Sequence, residues 1–213
     1  MAGTIVHLAI SNEIKKKYNF SDRFIFGSIM PDIRKRICED RDATHYIEEI
    51  YLGNNNIKRL PNLERYIKEN KEKIAQKDEY VLGYFAHLVQ DRIWFDKYIS
   101  RFVEFKADTL GFVYMYSEER MVEREYWVKQ MYNDYAKLEQ YVLDKFNLDK
   151  NDMVQKMLMQ TSDYKVKETI KSELRDFDID KKIKREVLTQ NQMDEYFEEC
   201  IKETIDMYRN LGI

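Results

Sequence analysis

A nearly all-α fold, a multi-helix bundle in a single domain, is what this sequence predicts, and three observations carry the prediction. Helix breakers are scarce, with 6 Gly and 2 Pro in 213 residues. Charged residues make up 35% of the chain. Met, Tyr and Leu recur between them at helical spacings, the pattern of helices with one buried and one wetted face. A chain of this length can bury a substantial core.

Taken in order, Thr4 to Tyr18 reads as a first helix, with Ile10, Ser11 and Ile14 on the side of His7. Ser21 and Asp22 look like an N-cap and an acidic first turn, opening a short helix through Phe24 to Met30 that Pro31 stops. In GSIMPD, Gly27 to Asp32, a carboxylate is then delivered at a chain reversal. Charges crowd the next stretch until Thr44-His45-Tyr46, after which Ile47 and Ile50 resume an apolar face. The GNNN turn at Gly53 to Asn56 precedes Pro61, near the start of a helix running towards Ile74.

A central helix is expected over Asp78 to Phe105. After a loop with Asp108 and Gly111, Ser117-Glu118-Glu119 is a plausible start to a long helix ending near Phe146. In 150–213, Met153, Met157 and Leu158, then Val166 and Ile170, then Met193, Phe197, Ile201, Ile205 and Tyr208 mark packing helices, with a charged interruption around Asp176 to Lys184. These C-terminal helices would cover a site, form a homo-oligomer surface or bind another protein.

No apolar run reaches the ~20 residues that span a bilayer, and Met1 to Leu8 lacks the features of a signal peptide. A cytoplasmic location is the expectation. Cys38 and Cys200 are distant and unaccompanied, so they read as reduced thiols. The net charge is -3, with both signs interspersed, which is not the footprint of a protein that grips long nucleic acid. A small anionic substrate stays allowed, because a bound divalent ion adds positive charge that the sequence does not count.

The chemistry concentrates in residues 1–110. In VLGYFAHLVQDRIW, Val81 to Trp94, His87 and Asp91 stand four residues apart, about one helical turn, on one face of an apolar, aromatic-rich pattern. Such an inward polar pair needs partners, either hydrogen bonds from another helix or a metal ion. The chain holds only 3 His, and His7 and His45 are the others. With Asp32 and Asp91 they make a mixed nitrogen and oxygen set suited to zinc or another first-row divalent ion. Five ligands exceed one tetrahedral site, so one or two ions fit the inventory.

The motifs VHLAI, GSIMPD, RDATH and GYFAHLVQDRIW, in that order, resemble the zinc-dependent phospholipase C family, which is related to the single-strand-specific zinc nucleases. The resemblance covers about the first half of the chain. It implies an all-helical bundle with metals held between helices, and Asp32, His45, His87 and Asp91 as ligands of one metal. Asp91 would bridge to a second ion that also takes His7. Secreted relatives complete that second site with a terminal Trp, where this chain begins Met-Ala-Gly, and bind a third ion through later histidines, none of which follows His87 here. The membrane-binding β-domain of some family toxins is absent too. A reduced, intracellular member is implied.

The implied reaction is hydrolysis of a phosphoester in a small phosphate-containing substrate. The metal would bring water towards a pKa of ~7 and polarise a phosphoryl oxygen for in-line attack. Asp32 would be a ligand or a general base, and Arg41, one turn before His45 if that segment is helical, a phosphate clamp that binds substrate. The alternative is a non-catalytic helical interaction protein with a structural or degenerate metal site.

Overall fold

Helix α1 (Thr4–Tyr18) ends on Asn19 in the left-handed region, φ 55°, with Lys15, Lys16 and Lys17 beside the negative end of its dipole. Helix α2 (Asp22–Arg36) is capped by Ser21, whose side chain accepts from the amide of Arg23. It does not stop at Pro31 but runs one further turn beyond it. The ring removes the N–H that would bond the Gly27 carbonyl. Every residue from Phe24 to Ile33 is buried, and that burial outweighs the lost bond. Asp32 therefore points by helix periodicity, one turn after Ser28, and not by a chain reversal. The structure, a computed structural model, describes residues 3–37, 40–54, 56–105, 111–175, 179–181, 183 and 187–213. Cys38, Asp108 and most of the charged interruption at 176–184 lie outside them.

The short helix α3 (Arg41–Thr44) leads into an antiparallel hairpin, β1 (Ile47–Gly53) and β2 (Asn56–Pro61), with Ile47 opposite Pro61 and Tyr51 opposite Ile57. The apolar face expected at Ile47 and Ile50 thus lies on a strand, in a chain expected to be nearly all helical. Turn chemistry decided it: Gly53, at the end of β1 beside an irregularity of the register, takes φ 86°, and Asn54 in the turn takes φ 50°, left-handed conformations that end a strand and that no helix contains. Helices α4 (Leu63–Glu69) and α5 (Lys71–Ala75) follow, then the central α6 (Glu79–Ile93), capped by Asp78.

Beyond Ile93 the helix widens into a π-helical turn, Trp94–Tyr98, and tightens into a 3-10 turn, Ile99–Arg101. The α-helix expected to reach Phe105 therefore stops earlier, and Val103–Glu104 is a strand, β3. It pairs with β4 (Phe112–Met115), which pairs with β5 (Arg120–Glu123). Val113, Met115 and Val122 point inward and Phe112 outward, a period of two that overrides the helix start expected at Ser117. Helix α7 (Arg124–Phe146) begins only after β5. Helices α8 (Lys150–Leu158), α9 (Tyr164–Glu173) and α10 (Gln190–Asn210) complete the described chain, the last with a Thr189–Gln192 capping box.

The described fold is therefore mostly helical, as expected, with two small antiparallel sheets beside the helices. Helices α2 and α6 make the most extensive helix pair, and α1 and α10 pack beside them. Tyrosines tie the surrounding elements to α6: Tyr66 donates to the Val81 carbonyl at 2.9 Å and Tyr196 to the Gln90 carbonyl at 3.0 Å, and Tyr208 to that of Leu82. No helix among the described residues is long and apolar enough to cross a membrane.

Candidate metal centre

Four elements bring five chemically able side chains to one place. Helix α1 supplies His7, α2 supplies Asp32, the end of α3 supplies His45, and α6 supplies His87 and Asp91. All five are at most 2% exposed. Their convergence depends on how closely α2 and α6 cross, which glycines allow. A Cβ built on Gly27 would stand 2.2 Å from the Tyr80 carbonyl oxygen, so only a glycine fits there. Gly83, one turn before His87, has the same function on the facing helix.

Each imidazole is oriented through its Nδ1. That of His87 lies 2.8 Å from the Ser28 carbonyl, which can only accept, so Nδ1 carries the hydrogen. His7 donates in the same way to Gln90 Oε1 at 2.8 Å, and the Gln90 amide is steadied by Ser11 Oγ at 3.3 Å. His45 Nδ1 meets Thr44 Oγ1 at 2.9 Å, and the threonine gives its own hydrogen to the Arg41 carbonyl at 3.2 Å. With Nδ1 committed three times over, each ring in its neutral form presents a bare Nε2 lone pair to the others. This is the arrangement in which an outer partner fixes tautomer and direction for metal binding.

The lone pairs meet carboxylates at a spacing suited to a cation. Asp91 lies 3.5 Å from His7 Nε2, 3.7 Å from His45 Nε2 and 3.9 Å from His87 Nε2, and Asp32 lies 3.3 Å from His45 Nε2. Ligand atoms ~2.0–2.1 Å from a tetrahedral ion stand ~3.3–3.4 Å apart, so these distances lie at or slightly above that edge. Nε2 of His7 and His87 and both carboxylate oxygens of Asp91 are buried with no hydrogen-bond partner. Every one of them is an acceptor. Buried acceptors that face one another need a donor or a cation between them, and a cation satisfies them all at once.

Two overlapping trios, His7 with Asp32 and His87, and His45 with His87 and Asp91, each bring one ligand atom per residue within 4.8 Å of the others. These buried groups can hold a metal ion. His87 belongs to both trios, yet has a single free nitrogen to give. The rings of His7 and His87 stack with centroids 3.9 Å apart, which brings the two trios side by side.

Charge follows the same logic. Burial, and after it the neighbouring His7 ring, push the His87 imidazole down to about 3, so it is neutral at pH 7. Burial alone would raise Asp91; its carboxyl is held far below the ordinary range only by a proton or other positive charge on the side that faces His7 and His87, which is the place an ion would take. Asp32 is held low in spite of burial by the facing His45 ring and by the Lys35 ammonium, whose Nζ is 2.8 Å from Oδ1. A neutral His87 ring and ionised carboxylates are protonation states that bind metal.

No family model, curated protein or solved structure matches the chain. The structure brings together all five residues singled out as ligands from sequence and leaves Arg41 apart from them. Its guanidinium lies over the Phe95 ring, 5.1 Å from the centroid, and lines a cavity to which none of the five contributes. Sequence reasoning missed the orienting groups Ser28, Thr44 and Gln90, and Lys35. Thr44 and Gln90 are each adjacent in sequence to a ligand, and Lys35 is one turn after Asp32, which is the signal that would have found them.

Proposed function

We propose that the chain is a cytoplasmic metal-dependent hydrolase of a phosphoester, with zinc the first expectation for its one or two ions, on the pattern of the zinc-dependent phospholipase C family. The observation that carries the reading is the set of buried Nε2 and carboxylate acceptors that face one another without donors. His7, His45, His87, Asp32 and Asp91 would hold the ion. When bound, a divalent ion supplies Lewis acidity, which polarises a phosphoryl oxygen and acidifies water.

The protein's own residues prepare that chemistry. Gln90, Thr44 and the Ser28 carbonyl keep the rings aimed, so that no reorientation is needed on binding. Asp32 Oδ1 already accepts from Lys35 Nζ at 2.8 Å, which makes that oxygen a poor proton acceptor and favours Asp32 as ligand over Asp32 as base. Enclosure excludes bulk water and strengthens every charge interaction within.

That same enclosure, with His7, His45, His87 and Asp91 at 0% exposure, favours a second reading: a structural ion in a non-catalytic interaction protein. Elemental analysis of protein purified without a histidine tag, followed by a panel of phosphomonoesters and phosphodiesters with wild type and His87→Ala, separates the two. Stoichiometric divalent ion with turnover that is lost in His87→Ala is the expected result. Bound ion without turnover gives the structural reading. Absence of any bound ion sinks both, and equal turnover by the two proteins rejects the site.

A further inference from the structure

Beside the π-helical turn, between that turn, the β1–β2 hairpin, β3 and the start of α7, lies a cavity of about 180 Å³ with no residue of the metal centre in its wall. Its floor is apolar, from Phe95, Ile99, Val103 and Phe105. Its charged groups are Arg41, Lys58, Arg59 and Arg124 against the single carboxylate of Glu104. Lys58 is paired with Asp96, and Arg59 with Asp42 and Glu49. Arg41 and Arg124 have no carboxylate within ion-pair distance among the described residues; each lies instead over an aromatic face, Phe95 at 5.1 Å and Phe105 at 6.0 Å.

Arg124 is also the first residue of α7, a 23-residue helix whose N-terminus carries the positive end of the dipole. Burial, and after it the nearby Arg41 and Arg59, push the Arg124 guanidinium below its ordinary value, and Asp42 offsets part of this. Like charges gathered at a helix N-terminus are unfavourable alone and favourable around an anion. A volume near 180 Å³ exceeds the roughly 150 Å³ that accepts a benzene ring.

We propose that this cavity is a second ligand site, which takes a small amphiphilic anion: an oxyanion head held by Arg41 and Arg124, and a ring-sized apolar body laid on Phe95, Ile99 and Phe105. The site is independent of the metal centre, since the two share no side chain. The head is a phosphoryl or a carboxylate group, which a guanidinium fork grips alike.

Calorimetric titration with phenylphosphonate and with benzoate tests this, with inorganic phosphate and benzyl alcohol as the head-only and body-only controls. At least one of the two amphiphiles is expected to bind tenfold or more tightly than both controls, and equally well in EDTA and in His87→Ala. Arg41→Gln and Arg124→Gln are each expected to weaken binding at least tenfold, with partial recovery in Arg124→Lys. Ser100→Trp places bulk on an exposed lining residue without touching either arginine, and is expected to abolish binding while the melting temperature holds. Binding no tighter than the controls overturns the proposal. So does binding unchanged by the arginine variants, or binding lost in EDTA, which would locate the anion at the metal centre instead. Failure of the hydrolase reading leaves all these outcomes unaltered.

Discussion

A Cβ on Gly83 of α6 would stand 2.0 Å from the carbonyl oxygen of Phe24 on α2, a separation that no packed carbon tolerates. Ordinarily Gly→Ala inside a helix stabilises by roughly 0.5–1 kcal/mol. Here the sign reverses, because backbone must move. Gly83→Ala is expected to destabilise by about 3 kcal/mol or more, at or above the usual upper end for overpacking. Denaturant unfolding measures it, and a neutral or stabilising effect would show that the helices do not cross so closely.

The orienting partners of the imidazoles give a second expectation. Gln90→Leu strips the acceptor from His7, and Thr44→Val strips it from His45, each leaving a buried N–H unsatisfied. Metal affinity should fall roughly 10–100-fold for each, with stability lower by about 1–3 kcal/mol. Competition against a chelator reads the first and urea unfolding the second. Affinity equal to wild type in both would remove these residues from the centre.

Acid should unfold the metal-free protein in a defined window. The His87 imidazole titrates near 3 when folded, against ~6.5 when unfolded. Between those values the unfolded chain binds a proton that the native one refuses, so this stability is fully present above pH ~6.5 and is lost as pH falls. The slope is about 1.4 kcal/mol per pH unit for one proton. Asp32 and Asp91, both held low, add losses of the same sign below pH ~4. Unfolding free energies measured every half unit from pH 7.5 to 4 check this, and a flat profile would contradict the buried neutral ring.

Much of the centre was legible because its ligands occupy helical positions that periodicity reads well: His87 and Asp91 lie one turn apart, and α1 runs as expected from Thr4 to Tyr18. What periodicity could not read was set by other forces. Ile47 and Ile50 match a helical face as well as a strand, and the left-handed Gly53 and Asn54 settle the matter. Pro31 signals a stop in isolation, but the buried run around it keeps α2 going. Gly27 and Gly83 are the two positions where tertiary contact, unseen in any single segment, dictated the residue.

Cys200 offers a simple check of the C-terminal packing. It is buried at 0% exposure on α10, and burial pushes its thiol well above the ordinary value. Maleimide should leave it unmodified in native protein and label it in urea, as peptide mapping by mass spectrometry would show. Rapid native labelling of Cys200 would mean that α10 is not seated as described.

The enclosure of the histidines and Asp91 also has a meaning in time. With these four residues at 0% exposure, an ion bound by them would enter and leave through an opening of the surrounding described structure. Loading and release then proceed at the rate of that opening, whatever the affinity. An ion held in such a centre would be the one present when the chain closed around it, so that metal content would record the history of folding as well as the composition of the surroundings.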